Sequence, residues 1–218
     1  MNYNDLIDKI IHENVSMVEK PRFETILRHK DNISKLKGDI VECGIWRGGM
    51  SIFMAHLFNE KNIWMCDSFT GFQPLNIATY QWHDEPHTPS FDVGVHYDIV
   101  MNNIKRYNLE VGERIKILKG WVKDVLHPAS CPIQQISLLR IDVDAYSATR
   151  EVLDFLYPKV VKGGYIIFDD SCLTQTTNAL YDYFEQHNIS FNLLHPTTDN
   201  IIQHSRKAHP CGVFMIKE

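Results

Sequence analysis

Apolar runs that alternate with helix-like segments limit what this chain can fold into more than any other feature. "DIVEC", "NIWMCD", "RIKILKG", "ISLLRID" and "YIIFDD" are short and apolar on both faces. "GMSIFMAHLFNE", "ATREVLDFLYPKV" and "TNALYDYFEQHN" carry helical patterns among them. Strands covered on both faces and alternating with helices predict an α/β fold with a doubly wound, mostly parallel sheet. Two later candidates, "SFNLLH" and "GVFMIK", bring the expected strands to seven. Residues 1–38 read as an N-terminal helical cap. The 218 residues are expected to form a single domain, long enough to bury a core without disulfides.

Composition narrows the function classes. The formal net charge of -5 argues against nucleic acid as the main partner, because phosphate binding needs a basic surface. No apolar run approaches the ~18 residues of a membrane span. The start, "MNYNDLIDKIIHEN", carries acids and lacks the long apolar stretch of a signal peptide, which points to a cytoplasmic protein. Five cysteines, Cys43, Cys66, Cys131, Cys172 and Cys211, include no CxxC pair. The expectation is five free thiols in a reducing compartment and no zinc site. Cys43 and Cys66 end apolar runs, where a thiol acts as a small hydrophobe.

Residues 72–96 break the alternation. An insertion of this length without regular pattern is usually functional, and it reads as a lid over a substrate. It holds Tyr80, Trp82, His83 and His87. The histidines have the i, i+4 spacing of a helical metal pair, but Pro86 and Pro89 oppose a regular helix, so surface histidines are the expectation.

In open α/β sheets, ligands bind outside the carboxyl ends of the strands. After the first run, Gly44, Gly48 and Gly49 lead into a helix, giving close backbone approach and free N–H groups. The spacing is not GxGxxG. Glu42 before these glycines would oppose a pyrophosphate but can accept from a ligand's ammonium. Asp67 ends the second run, 23 residues beyond Gly44, where a carboxylate can bond a ribose diol. The competing role for Asp67 is a cap or turn. With no GK[ST] motif present, a nucleoside without a demanding phosphate is favoured. The run "ISLLRID" leads to Asp142 and Asp144, and the next strand ends at Asp169 and Asp170, 27 and 28 residues after Asp142. A strand–helix–strand unit sets such ends side by side. Converging carboxylates repel one another, and a hard divalent cation is their natural counterion. The alternative is structural: caps, or an arginine partner, Arg140 or Arg150.

These residues resemble a known family. "GDIVECGIWRGGMSIFM", "WMCDSFTGF", "LKGWVKDVL" and "LLRIDVDAYSATREVLDFLYPKVVKGGYIIFDDS" are similar to the macrocin O-methyltransferases over roughly residues 39–187. The resemblance implies a class I, Rossmann-like methyltransferase that uses S-adenosylmethionine and Mg²⁺, or another hard divalent cation, to methylate sugar hydroxyls of natural products. By motif, Glu42, Gly44, Gly48 and Ser51 would line the methionine end of the cofactor. Asp67 and Ser68 would hold the ribose and adenosine region, and Gly120 with Trp121 the adenine side. Asp142, Asp169 and Asp170 would bind the metal, with Asp142 also the general base. "SMVEKPRF" resembles the family's segment that closes over the cofactor. The implied partner is a small-molecule hydroxyl acceptor, a sugar diol by preference. Relatives are commonly dimers or larger.

Four rival readings are set against this pattern. A nicotinamide dehydrogenase has no use for the aspartate cluster. A metal-dependent nucleotide-sugar glycosyltransferase would use "DVD" but leaves Asp169, Asp170 and Glu42 unexplained. A catechol-type O-methyltransferase shares the metal arrangement and would act on a phenolic diol. A non-catalytic scaffold needs neither ligand set.

Overall fold

The computed structural model of the protein describes residues 2–72 and 94–218. Most of the expected lid, with Tyr80, Trp82, His83 and His87, lies outside the described residues. Helices α1 (Tyr3–His12), α2 (Lys20–Arg28) and α3 (Lys30–Lys35) precede β1 (Asp39–Cys43), α4 (Gly49–Leu57) and β2 (Ile63–Asp67). Then come α5 (Tyr97–Arg106), β3 (Ile115–Lys119), α6 (Val122–Val125), β4 (Ile136–Ile141) and α7 (Tyr146–Leu156). β5 (Val160–Phe168), α8 (Thr174–Gln186) and β6 (Val213–Ile216) complete the order. None of the described helices is long and apolar enough to cross a membrane.

The sheet order is β3-β2-β1-β4-β5-β6, with β6 antiparallel to β5 and the other pairings parallel. From β1 the chain winds outward to β3, then crosses to β4. The order therefore reverses between β1 and β4, where a ligand crevice is expected at the carboxyl ends. The doubly wound expectation holds, but seven strands become six among the described residues. In "SFNLLH" only Leu194 pairs, through isolated antiparallel bridges to Phe214 and Ile201. Pro196 follows at once, and the backbone turns there, with His195 N–H donating to Asn200 O at 2.9 Å. A proline without an N–H cannot extend a ladder.

Strand pleat sorts the core. Ile40 and Leu138 face a cluster built with α1, α2 and α4, while Val41 and Leu139 face a second cluster built with α7 and α8. Side chains alternate with period two. Glu42 and Arg140, partners in register, therefore point to the α1/α2 side, as do Tyr165 and Ile167 on β5. The same parity carries on to Asp142 and Asp169, whose amides continue the ladder to Cys43 O and Ile141 O, each at 2.9 Å.

One expectation is overturned by this topology. Cys172 and Cys211 form a disulfide with Cα atoms 4.7 Å apart, while Cys43, Cys66 and Cys131 are free and buried. The cause is the β5–β6 pairing: Phe168 opposes Val213, so the loops beyond that pair run alongside one another. The argument for a reducing compartment from five free thiols fails with it. The bridge closes a sequence separation of 39 residues. Replacing both cysteines with serine should cost roughly 3–4 kcal/mol of unfolding free energy on the chain-entropy account. A denaturant midpoint equal to that of the wild type would show that local hydrogen bonds hold the two loops unaided.

Candidate active site

The strand tips bring three carboxylates to one guanidinium. Arg140 is 1% exposed. Its Nη1 donates to Glu42 Oε1 at 2.5 Å and to Asp142 Oδ2 at 2.7 Å. Its Nη2 lies 2.6 Å from Asp169 Oδ1, an ion pair without the alignment of a hydrogen bond. Ser51 Oγ on α4 donates to Glu42 Oε2, and Arg22 Nη1 on α2 donates to Asp169 Oδ2. Asp170 Oδ2 accepts the Asp144 N–H at 2.9 Å. One carboxylate oxygen from each of Asp142, Asp169 and Asp170 lies within 4.8 Å of the others, an arrangement that can hold a cation. The arginine expected only as an alternative is thus present beside the predicted cation ligands. Arg150 is not part of this network: it bonds Gln186 and pairs with Asp154.

Burial holds the carboxyls of Asp142, Asp170 and Glu42 above their ordinary range. Neighbouring carboxylates reinforce the shift at each of the three. Arg140 opposes it at Asp142 and at Glu42, and Ser51 also opposes it at Glu42. A site of this kind favours a bound positive charge.

A cleft opens at the β1/β2/β4 tips, lined by Gly44, Asp67, Ser68, Gly120, Trp121 and Asp142 among others. It lies beside the β1/β4 reversal at the carboxyl ends, where open α/β sheets bind their ligands. Asp67 combines the two roles weighed for it. Oδ2 accepts from Ile45 N–H at 2.8 Å and Oδ1 from Phe69 N–H at 2.7 Å, which fixes the turn, while the residue also faces the cleft. A smaller pocket shares Met17, Trp46 and Asp142 with the cleft and adds Glu42 and Arg140. Gly48 and Ser51 line neither pocket. Gly48 caps α4 in the left-handed region, and Ser51 reaches the site only through Glu42. Asp169 and Asp170 also line neither and are buried.

Sequence reasoning missed four contributors. Arg22 and Met17 come from "SMVEKPRF", whose resemblance to a closing segment was the available signal. Phe72 lines the cleft at the start of the expected lid. Trp46 carries φ +45°, unusual for a bulky residue, and no sequence pattern announces it. Asp144, recognised as part of "DVD", lines the cleft and contributes its backbone N–H to Asp170.

Comparison with known proteins agrees with this geometry. A family profile described as Macrocin-O-methyltransferase (TylF) matches residues 10–202. The mycinamicin III 3''-O-methyltransferase of Micromonospora griseorubida is 33% identical over 162 residues, which cover 70% of this chain and 63% of that protein. The demethyldecarbamoylnovobiocin O-methyltransferase of Streptomyces niveus is 35% identical over 164 residues, covering 71% and 62% respectively. The chain thus spans less than two thirds of either relative. The solved structure of the O-methyltransferase NovP superposes with a TM-score of 0.74 at 27% identity, covering 93% of this chain and 81% of that one. The matched residues include β1 to β5 and every member of the ion network from Arg22 to Asp170, and the chain belongs to the macrocin-O-methyltransferase family.

Proposed function

We propose that the protein is an S-adenosylmethionine-dependent, divalent-cation-dependent O-methyltransferase that acts on a hydroxyl of a sugar or similar natural-product acceptor. The observation that carries this reading is the juxtaposition of a cleft at the switch point with an acidic cluster at the same strand tips, sharing Asp142. Relatives named for O-methylation of mycinamicin III, demethyldecarbamoylnovobiocin and a rhamnosyl-tetracenomycin support the acceptor class.

The residues fit both absent groups. At Gly44, which lines the cleft, the backbone has φ +81° and an added Cβ would run into the Asp142 carbonyl, so only glycine lets the β1 and β4 tips approach this closely at the cleft. The three aspartates offer hard oxygen donors, the ligand type that Mg²⁺ takes. When bound, S-adenosylmethionine supplies an electrophilic methyl group and the cation lowers the cost of ionising an acceptor hydroxyl. Asp142, Asp169 and Asp170 would hold the cation. Asp67 keeps lone pairs beyond its two amide contacts and would accept from a vicinal diol of the nucleoside. Gly120 and Trp121 also line the cleft and would pack against the adenine. Asp142 Oδ2 is tied to Arg140, so Oδ1 is the atom assigned to take the acceptor's proton. Met17, Trp46 and Phe72 add apolar side chains to the cleft lining. The glycosyltransferase alternative has no use for Asp169 and Asp170 beside Asp142.

Calorimetry on the EDTA-treated protein tests the cofactor. S-adenosylhomocysteine is expected to bind without metal, because Asp67 and the Gly44 turn do not require the ion. Asp67→Ala should weaken it by ~1–3 kcal/mol, the scale of a hydrogen bond to a charged acceptor. Unchanged affinity in that variant removes Asp67 from the site. An acceptor screen that reads S-adenosylhomocysteine release then tests the reaction: EDTA should abolish turnover and Mg²⁺ restore it. Turnover that survives EDTA would overturn the cation dependence.

A further inference from the structure

Arg140 does more than neutralise charge. A single planar guanidinium hydrogen-bonds Glu42 on β1 and Asp142 after β4, and forms an ion pair with Asp169 after β5. A fork of fixed geometry defines the spacing of what it binds, which a flexible ammonium does not. The fork is itself anchored. Glu42 holds it from one side, and Ser51 holds the other oxygen of Glu42. Glu42 and Ser51 are not among the clustered cation-ligand candidates, and Glu42 lies two residues before the Gly44 turn.

We propose that Arg140 is a positioning residue. Its guanidinium fixes the spacing of Asp142 and Asp169 whether or not a cation is bound, and the Ser51–Glu42 pair holds that guanidinium in register. The cation-affinity consequence rests on the functional reading above; the positioning of the empty cluster does not. If the anchor is weakened, the guanidinium turns its full attraction on Asp142 and Asp169, and their oxygens become less available to a cation.

The experiment measures Mg²⁺ or Mn²⁺ affinity by calorimetry and melting in EDTA, on the full chain. Glu42→Gln should weaken cation binding about tenfold, the scale of one unit charge acting over several ångströms in a partly polar interior. Ser51→Ala leaves every charge in place, yet should still weaken it roughly threefold, a fraction of a hydrogen bond's usual effect. A loss in Glu42→Gln with none in Ser51→Ala would mean charge alone acts, and would overturn positioning. Unchanged affinity in both would overturn it as well. The melts test the empty cluster. EDTA should leave the wild-type midpoint in place, whereas Arg140→Gln should melt well below the wild type in EDTA and recover part of the loss in Mg²⁺. A wild type that collapses in EDTA would show the cation, not Arg140, holding the cluster. A wild type that binds no divalent cation would sink the metal dependence of the proposed function, and the EDTA melts would still decide Arg140. There, an Arg140→Gln midpoint equal to the wild type overturns the proposal.

Discussion

Gly44→Ala should abolish S-adenosylhomocysteine binding and destabilise the fold by upwards of ~3 kcal/mol, as losses at strained, tightly packed backbone positions do. Two independent costs add. Gly44 has φ +81°, a region that disfavours any Cβ by roughly 1–2 kcal/mol. An alanine Cβ would also stand 2.7 Å from the Asp142 carbonyl carbon, and closer still to its oxygen. Those are backbone atoms and cannot rotate away. The tips cannot separate cheaply either, because Asp142 N–H donates to Cys43 O and Gly44 N–H to Cys66 O, both at 2.9 Å. The clash therefore reaches the site through Asp142 itself. Gly112→Ala is the control, with nothing within 4 Å of an added Cβ, and should change little. Denaturant unfolding and calorimetry read both outcomes. A Gly44→Ala protein with wild-type midpoint and affinity would mean that the β1 and β4 tips are not in contact as described.

Asp142→Asn should lower kcat by ~10²–10⁴-fold at saturating Mg²⁺, the span attributed to a positioned proton acceptor. The amide keeps the shape and can still face Arg140 Nη1, so loss of fold is not the expected cause. Asp170→Asn should retain partial activity, since an amide oxygen can coordinate and can accept the Asp144 N–H as the carboxylate does. The comparison separates holding the ion from taking the proton. Equal activity in the two variants would remove Asp142 from the base role. Melting curves for both proteins guard against a trivial explanation by unfolding.

The parts of this fold that were legible in the sequence were those governed by periodicity. β1, β2, β4 and β5 announce themselves as apolar runs, and the residues just beyond them, Asp67, Asp142, Asp169 and Asp170, lie at the tips. The strand expected at "SFNLLH" failed because apolar character does not reveal the turn that Pro196 imposes. Cys172 and Cys211 escaped because their encounter depends on β6 pairing antiparallel to β5, a fact of topology. Arg140, named in the sequence only as an alternative alongside Arg150, could have been singled out: Glu42 and Arg140 each stand two residues beyond a core residue of the same face, Ile40 and Leu138. Counting by twos along two neighbouring strands places acid beside base. Arg22 had no such rule, because its contact with Asp169 depends on how α2 lies across the sheet.

The ion network also bears on how fast the protein can become competent. Arg140 and Glu42 are 98 residues apart in the chain, and Arg22 and Asp169 are 147 apart. Contacts of such separation form late in folding, because the entropy of closing long loops is lost before the contact returns anything. Helices such as α7 and α8 and the adjacent β4–β5 pair have local partners and can organise early. Until β1 docks beside β4, the guanidinium of Arg140 must stay in water, since a buried unpaired charge is costly. Docking of β1 is thus the step at which the central strand loses water, the carboxylates acquire their spacing and the cleft gains its floor. A nascent chain thus completes both the cleft and the ion network in that one event.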